Sequence, residues 1–203
     1  MNHKIISTGS KGNCVIINDV MIDVGVPFKK IKEHLYDIKY LLLTHIHSDH
    51  VNPTTLKNIK KLFPRITIIG NYEVHHMFEV HKIANGGFKL ETEDYTFLPF
   101  ECFHDVVCHG FTWTFEGLSI IYATDTSDMQ NAPDIKYDWM FIESNHCEKK
   151  IELINEQQSD FGYNAYAGAK RHLSTQQAKT FYYTHRRGKD SEFIPLHMSS
   201  RFY

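Results

Sequence analysis

The sequence predicts an α/β protein in which two β-sheets pack together and helices lie outside them. Short runs rich in Ile, Val, Phe and Tyr, bounded by Gly, Asn, Asp or Pro, recur along the chain as strands do. Helical stretches lie between these runs, and the strands fall into two comparable halves. No internal repeat, low-complexity stretch or linker interrupts the chain, so we expect a single domain over residues 1–203.

The predicted strands come first from β-branched and aromatic content. They are residues 3–7, 14–17, 20–23, 40–43, 66–70, 96–99, 111–115, 118–123, 139–142 and 193–196. Residues 8–13 contain Gly, Ser and Asn and predict a tight turn between the first two strands. A nucleotide-binding loop is disfavoured there, because the G-x-x-x-x-G-K-[ST] order is absent and a strand follows.

Helices are predicted for residues 27–35, 53–62, 71–83 and 175–183. A proline near the start of each of the first two suits a first helical turn. The second carries Leu56, Ile59 and Leu62 on one face. Ser174 or Thr175 is the expected N-cap of the last helix.

Composition indicates an ordinary globular protein, with 42% hydrophobic and 23% charged residues. The formal net charge of −2 argues against a broad electrostatic grip on long nucleic acid. No apolar run approaches membrane-spanning length and the first residues resemble a strand, so we expect a cytoplasmic protein without a membrane partner. The cysteines have no C-x-x-C spacing and are expected to be small buried side chains: Cys14, Cys102, Cys108 and Cys147.

The segment His45-Ile46-His47-Ser48-Asp49-His50 follows a predicted buried strand. Imidazoles and carboxylates both offer lone pairs to Zn²⁺, and histidine is the commonest metal ligand. In an extended approach His45 and His47 point to the same side and can hold one ion. Asp49 and His50 follow a turn and can face a second ion. The motif therefore predicts a metal site at a strand end, with a polar surface loop as the alternative.

Further ligand types follow other predicted strands. His104 comes after residues 100–103, Asp125 after residues 118–123, and His197 after residues 193–196. A carboxylate at Asp125 could bridge two metals with its two oxygens. Each residue alone is more often a cap or a turn residue, but together with the first motif they predict a two-metal site.

The order H-x-H-x-D-H, then His, Asp and His, resembles that of the metallo-β-lactamase-fold hydrolases over nearly the whole chain, from Ile22-Asp23-Val24-Gly25 to residues 196–202. The resemblance implies an αββα sandwich of two mixed sheets flanked by helices. It also implies two zinc ions, with manganese as the alternative. The implied ligands are His45, His47 and His104 for one ion, Asp49, His50 and His197 for the other, and Asp125 as the bridge.

A true β-lactamase is disfavoured, because His50 and Asp125 complete a pair of sites suited to a phosphodiester. Residues 141–145 and 172–178 resemble the Glu segment and the H-S-T-x-x-Q-A helix start of the tRNase Z-type phosphodiesterases. That likeness implies that Glu143 orients His172, which protonates the departing ribose oxygen. Asp49 would orient the attacking water or accept its proton. The alternatives are a structural carboxylate for Glu143 and a surface helix residue for His172.

Only residues 105–124 separate His104 from Asp125, so the long arm of the tRNA-processing members is missing. The compact plan resembles the phage-encoded anti-Pycsar phosphodiesterases, which match at residues 10–14, 103–105, 110–111 and 123–126. This resemblance implies a homodimer in the host-cell cytoplasm that removes an antiphage signal. Its substrates would be 3′,5′-cyclic nucleotides, cyclic CMP and UMP and then cyclic AMP and GMP, opened to 5′-monophosphates.

Other functions stay open. The same segments resemble a bacterial branch proposed to act on nucleic-acid ends, so a nuclease acting on RNA or DNA ends is the main alternative. A small-molecule thioesterase or lactonase and a metal-stabilised binding protein are the others. Some segments also have open roles. Rings in residues 161–166 could stack on a base or pack in a loop, Arg186-Arg187-Gly188-Lys189 could be a solvated turn or touch phosphate, and His75, His76 and His81 are expected on an exposed helix face rather than as ligands.

Overall fold

Two mixed β-sheets with flanking helices form the fold, which confirms the predicted α/β class. The computed structural model describes residues 1–156 and 165–199. The chain divides into two compact units, residues 1–85 and 86–203, and each unit contains one six-stranded sheet. The number of domains in the predicted sense stays a prediction.

The sheet of the first unit runs in the order β1-β2-β3-β4-β5-β6, with an antiparallel start and parallel pairs from β3 onward. Strands β2, β3 and β4 are buried along their whole length, which is why they appear in the sequence as continuous apolar runs. The elements are β1 His3–Ser7, β2 Cys14–Ile17, β3 Val20–Ile22, β4 Tyr40–Leu43, α1 Pro53–Leu62, β5 Thr67–Gly70, α2 Tyr72–Phe78 and β6 Lys82–Ile83.

Residues 27–35 do not form the single helix that their pattern predicts. Two short 3₁₀ turns, Phe28–Lys30 and Lys32–His34, take its place. Only Ile31 and Leu35 are fully buried within this stretch, so packing holds the segment at two points and no continuous apolar face supports an α-helix.

The predicted helix over residues 71–83 is too long. It ends at Phe78 because Glu79 adopts a left-handed conformation with φ 53° and donates its N–H to the His75 carbonyl. The residues that follow pair with β5 as β6. His75 and His76 are exposed on α2 as expected, whereas His81 lies beyond the helix and accepts a hydrogen bond from the Ile68 N–H.

The sheet of the second unit runs in the order β12-β11-β10-β9-β8-β7. Strands β10, β11 and β12 are mutually parallel, so their carboxyl ends lie at one edge of this sheet. The elements are β7 Leu90–Glu91, β8 Thr96–Cys102, β9 Cys108–Phe115, β10 Leu118–Ala123, β11 Trp139–Glu143, α3 Glu148–Glu156, α4 Ala165–Ala169, α5 Thr175–His185 and β12 Glu192–Leu196.

Helix α5 covers the parallel part of this sheet. Its residues Ala178 and Phe181 belong to a buried cluster with Ile121, Met140 and Ile142 of the strands. Ser174 is its N-cap, as expected, and forms a capping box with Gln177. The helix therefore starts at a fixed point, directly after residues 172–173.

The turn predicted for residues 8–13 is present between β1 and β2, where the Gly12 N–H donates to the Gly9 carbonyl. All four cysteines are free thiols. Cys14 and Cys108 are buried as expected, and burial raises the pKa of the Cys14 thiol well above its usual range. Cys102 and Cys147 are only half-buried. Within the described part of the chain, no helix combines the length and the apolar character needed to cross a membrane.

Candidate metal centre

The first set of ligands lies in the loop that follows β4. The structure brings His45 and His47 together, with Nε2 of His45 3.1 Å from Nδ1 of His47. The chain then turns, since the His50 N–H donates to the His47 carbonyl. Asp49 Oδ2 lies 3.8 Å from Nε2 of His50. His45 and His50 are fully buried, so this loop is a packed part of the fold and not a mobile polar surface.

Asp23, at the end of β3, is a functional residue that the sequence analysis assigned no role. Its carboxylate is fully buried and accepts hydrogen bonds from the Thr44 N–H and hydroxyl. Its Oδ2 lies 2.7 Å from Nδ1 of His50. Burial raises the pKa of Asp23 above its usual value, although the nearby His50 acts in the opposite direction. A carboxylate at Nδ1 fixes the imidazole tautomer and leaves Nε2 for a metal.

Asn13 occupies the other side of His50. Its side-chain nitrogen lies 2.8 Å from His50 Nε2, and its backbone N–H donates to the Asp49 carbonyl. A metal at Nε2 therefore requires the Asn13 amide to turn away. The Ile22-Asp23-Val24-Gly25 and Asn13 segments together frame the metal-binding loop, because Val24 and Gly25 make backbone bonds to His50 and Asn13.

We expect an Asp23→Asn variant to bind zinc about 10–100-fold more weakly, because the neutral amide no longer orients His50. Calorimetric titration of the metal-free protein with Zn²⁺ measures this. The melting temperature of the metal-free protein should change little, since the substitution also removes a buried charge. Asp19→Asn, at a surface ion pair with Lys39, is the control. Unchanged zinc affinity in Asp23→Asn would contradict the role assigned to this carboxylate.

The second set of ligands lies at the carboxyl ends of the parallel strands of the second unit. Asp125 follows β10, Glu143 ends β11 and His197 follows β12. His172 reaches the same place from the segment before α5. One donor atom from each of these side chains lies within 4.8 Å of the others. The structure thus brings together four residues that the sequence places far apart.

Glu143 and His172 form a tight pair. The fully buried carboxylate of Glu143 accepts a hydrogen bond from Nδ1 of His172 at 2.7 Å, and its Oε2 accepts the Thr126 N–H. Nδ1 of His197 lies 3.2 Å from the same carboxylate. Burial alone would raise the pKa of Glu143, but the two histidines outweigh it and hold that pKa below its ordinary value. Burial would lower the pKa of His172, but Glu143 and then Asp125 outweigh it and raise that pKa. The pair therefore favours an imidazolium beside a carboxylate.

Three of these site residues have an unusual backbone. Asp23, Asp125 and His197 follow β3, β10 and β12 and adopt positive φ angles of 60°, 53° and 53°. L-residues other than glycine rarely occupy this region, and doing so at a functional site stores strain of about 1–3 kcal/mol. The same sharp turn after a strand recurs at each of these places.

His104 and two neighbours complete the described second set. His104 follows β8, its Nε2 lies 3.2 Å from Asp105 Oδ1, and its ring centroid lies 6.4 Å from that of His172. Asn145 donates to the His197 carbonyl and lies 3.1 Å from His197 Nδ1. The sequence gave no signal for Asn145 or Asp105, because such supporting contacts depend on topology.

Two of the sequence-based expectations fall partly on other residues. Residues 161–164 of the candidate base-stacking segment and residues 200–202 of the closing motif lie outside the described residues. Tyr166 is described, and its ring carries the Lys170 ammonium at 4.5 Å from the centroid. Arg186 stacks on Tyr182 and Tyr183, which favours the solvated-turn interpretation of that basic segment.

Both ligand sets have the donor chemistry of a metal centre. Imidazole nitrogens and carboxylate oxygens suit zinc and manganese, and buried donors of this kind converge in each set. These histidine and aspartate clusters can therefore bind metal ions. Their composition leaves the identity of the metal open.

Solved structures share the fold across almost the whole chain. The short form of human tRNase Z superposes with a TM-score of 0.69 at 16% identity and covers 99% of this chain and 94% of its own. The metallo-β-lactamase-fold protein YhfI of Bacillus subtilis gives 0.67 at 14% identity, covering 98% and 86%. A diphosphatase of the PhnP family gives 0.66 at 17% identity, covering 98% and 87%. The chain has the metallo-β-lactamase fold.

Sequence relatives are more distant in extent. No family model matches the chain. The hydroxyacylglutathione hydrolases of Salmonella paratyphi B and Salmonella newport are each 29% identical over 85 residues, which are 42% of this chain. The match spans about a third of the length of these curated relatives, 32%.

Proposed function

We propose that the protein is a dinuclear metal-dependent phosphodiesterase that opens 3′,5′-cyclic nucleotides, such as cyclic CMP and cyclic UMP, to 5′-monophosphates. The observation that carries this proposal is the 2.7 Å pair of Glu143 and His172 beside Asp125. The proposed metal ligands are those that the resemblance implies: His45, His47 and His104 for one ion, Asp49, His50 and His197 for the other, and Asp125 for both.

Two divalent ions, when bound, supply positive charge to the phosphate oxygens and make hydroxide available near neutral pH. The protein supplies orientation. Asp23 holds the His50 ring, Asn145 holds the backbone and ring of His197, and the strand ends fix the carboxylates. Asp49, with 29% of its side chain exposed, can accept a proton from the attacking water.

His172 is assigned to the leaving group. Opening of a 3′,5′-cyclic phosphodiester breaks the bond between phosphorus and the 3′ oxygen, and this ribose alkoxide leaves poorly unless it gains a proton. Glu143 holds Nδ1 of His172, so the other nitrogen of a 20% exposed ring is left to donate that proton. A thioester needs no such donor, because a thiolate is a far better leaving group. This difference supports a phosphodiester over a thioester substrate.

A nuclease acting on RNA or DNA ends is the second candidate. It would use the same residues, and the likeness of fold to human tRNase Z, which covers 94% of that enzyme, supports it. The net charge of −2 supports the small substrate, since long nucleic acid favours a basic protein. A role against an antiphage signal, a homodimer and a location in the cytoplasm belong to the proposal and depend on the first substrate class.

A substrate panel tests the proposal. Metal-loaded protein is incubated separately with cyclic CMP, UMP, AMP and GMP, a short single-stranded RNA and an acylglutathione thioester, and products are separated by chromatography. We expect cyclic nucleotides to give 5′-monophosphates and chelator-treated protein to give none, because removal of the ions removes their charge from the phosphate. Intact cyclic nucleotides together with trimmed RNA would establish the nuclease instead, and cleavage of the thioester alone would exclude both.

A further inference from the structure

Arg171 is a cation next to the proposed proton donor, at the carboxyl-terminal edge of the second sheet. It directly precedes His172, and the turn that ends α4 fixes its backbone, because the Arg171 N–H donates to the Gly168 carbonyl. Its side chain is 60% exposed. The neighbouring Lys170 differs, since its ammonium lies over the Tyr166 ring.

One carboxylate connects this guanidinium to a candidate metal ligand. Asp105 Oδ2 lies 3.8 Å from an Arg171 nitrogen, and Oδ1 of the same residue lies 3.2 Å from Nε2 of His104. The guanidinium is thus held within one carboxylate's width of the proposed reaction site. An ion pair of this length between half-exposed side chains contributes little stability, so a competing anion can replace Asp105 at small cost.

The other described arginines of the second unit lie elsewhere. Arg187 is bound to Asp138, which precedes β11, and Arg186 stacks on Tyr182 and Tyr183. Asp138 lies at the amino-terminal end of the parallel strands, whereas Asp125, Glu143 and His197 lie at their carboxyl ends. Among the described arginines of this unit, Arg171 alone is placed beside the candidate catalytic residues.

We propose that Arg171 is a substrate-binding residue whose guanidinium contacts the phosphate group of the phosphodiester, and that Asp105 holds it in position until the substrate binds. The planar fork of arginine matches two phosphate oxygens, which a lysine cannot do. This inference rests on the proposed function for the identity of the substrate. It adds a residue that determines affinity rather than one that takes part in proton transfer.

Two readouts on the zinc-loaded protein test the inference: calorimetric affinity for inorganic phosphate and for 5′-CMP, and the separate kcat and KM for the best cyclic nucleotide. We expect Arg171→Gln to weaken both affinities and raise KM by about tenfold, the usual effect of losing a hydrogen bond to a charged group, with little change in kcat. Arg171→Lys should recover only part of the loss. Arg186→Gln, the same change at the far end of the strands, should match the wild type.

The inference is overturned if Arg171→Gln binds phosphate as tightly as the wild type, or if Arg186→Gln weakens binding equally, which would mean that only net charge matters. Failure of the proposed function looks different. In that case the wild-type protein leaves every cyclic nucleotide intact, and the phosphate affinities of the variants still decide the role of Arg171. Equal zinc content in all variants, measured by elemental analysis, shows that the metal ligands are undisturbed.

Discussion

Replacement of His172 by alanine is expected to lower kcat for a cyclic nucleotide by about 10²–10⁴-fold, the range that general acid–base catalysis contributes. The physical reason is the leaving group, since without a positioned imidazolium the 3′ oxygen must depart as an alkoxide. Glu143 is fully buried and already holds Nδ1 of His172 at 2.7 Å, so no other described group stands ready to take over the proton. Steady-state kinetics with the wild type and the variant at equal zinc content measure the loss.

The leaving group distinguishes proton donation from a structural role. A p-nitrophenyl phosphodiester releases a stabilised phenolate that needs no proton, so His172→Ala should retain most of its activity toward that substrate. His185→Ala is the matched control, because that ring is 21% exposed, close to the 20% of His172, and stacks on Phe181 in the same helix region. Equal losses for both leaving groups would assign His172 to structure or to metal binding.

The sequence predicted the parts of the fold that local pattern determines. Strands such as β4 and β10 match their predicted bounds, because a fully buried strand is a continuous apolar run bounded by polar residues. The two-residue strands β6 and β7 were missed, since they exist only by pairing with a neighbour. The helix predicted for residues 27–35 failed for a related reason, because packing of two side chains replaced the local preference.

The candidate site divides in the same way. Residues that follow predicted strands, such as Asp125 and His197, could be selected from sequence because strand ends carry chemistry. Asp23 and Asn145 act through His50 and His197, and these contacts join parts of the chain 27 and 52 residues apart. No local pattern reports such a pairing. The left-handed conformations of the residues after β3, β10 and β12 are equally hidden, because Asp and His do not announce a positive φ as glycine does.

Gly25→Ala is expected to disable the first set of ligands without touching any ligand side chain. A Cβ at Gly25 would lie 1.7 Å from the Asp49 carbonyl oxygen and 2.8 Å from the His50 backbone nitrogen. These are backbone atoms, so the loop itself must move. Catalysis falls by about 10²-fold when groups are misplaced by about 1 Å, and we expect that loss in kcat/KM. Overpacking should also lower the free energy of unfolding by about 1–3 kcal/mol.

Zinc titration connects the clash to the metal site. Asp49 and His50 are proposed ligands of one ion, so the Gly25→Ala protein should bind that ion weakly while the bonds from Val24 to His50 and from Asn52 to Val24 are disturbed. Gly188→Ala is the control, because its Cβ would meet no described atom within 4 Å. Wild-type zinc binding and activity in Gly25→Ala would mean that the loop can shift freely, and the metal site would then have to be held by side-chain contacts such as Asp23 to His50. Loss in Gly25→Ala alone would place the cause in the close approach of two backbone segments, which only a residue without a side chain permits.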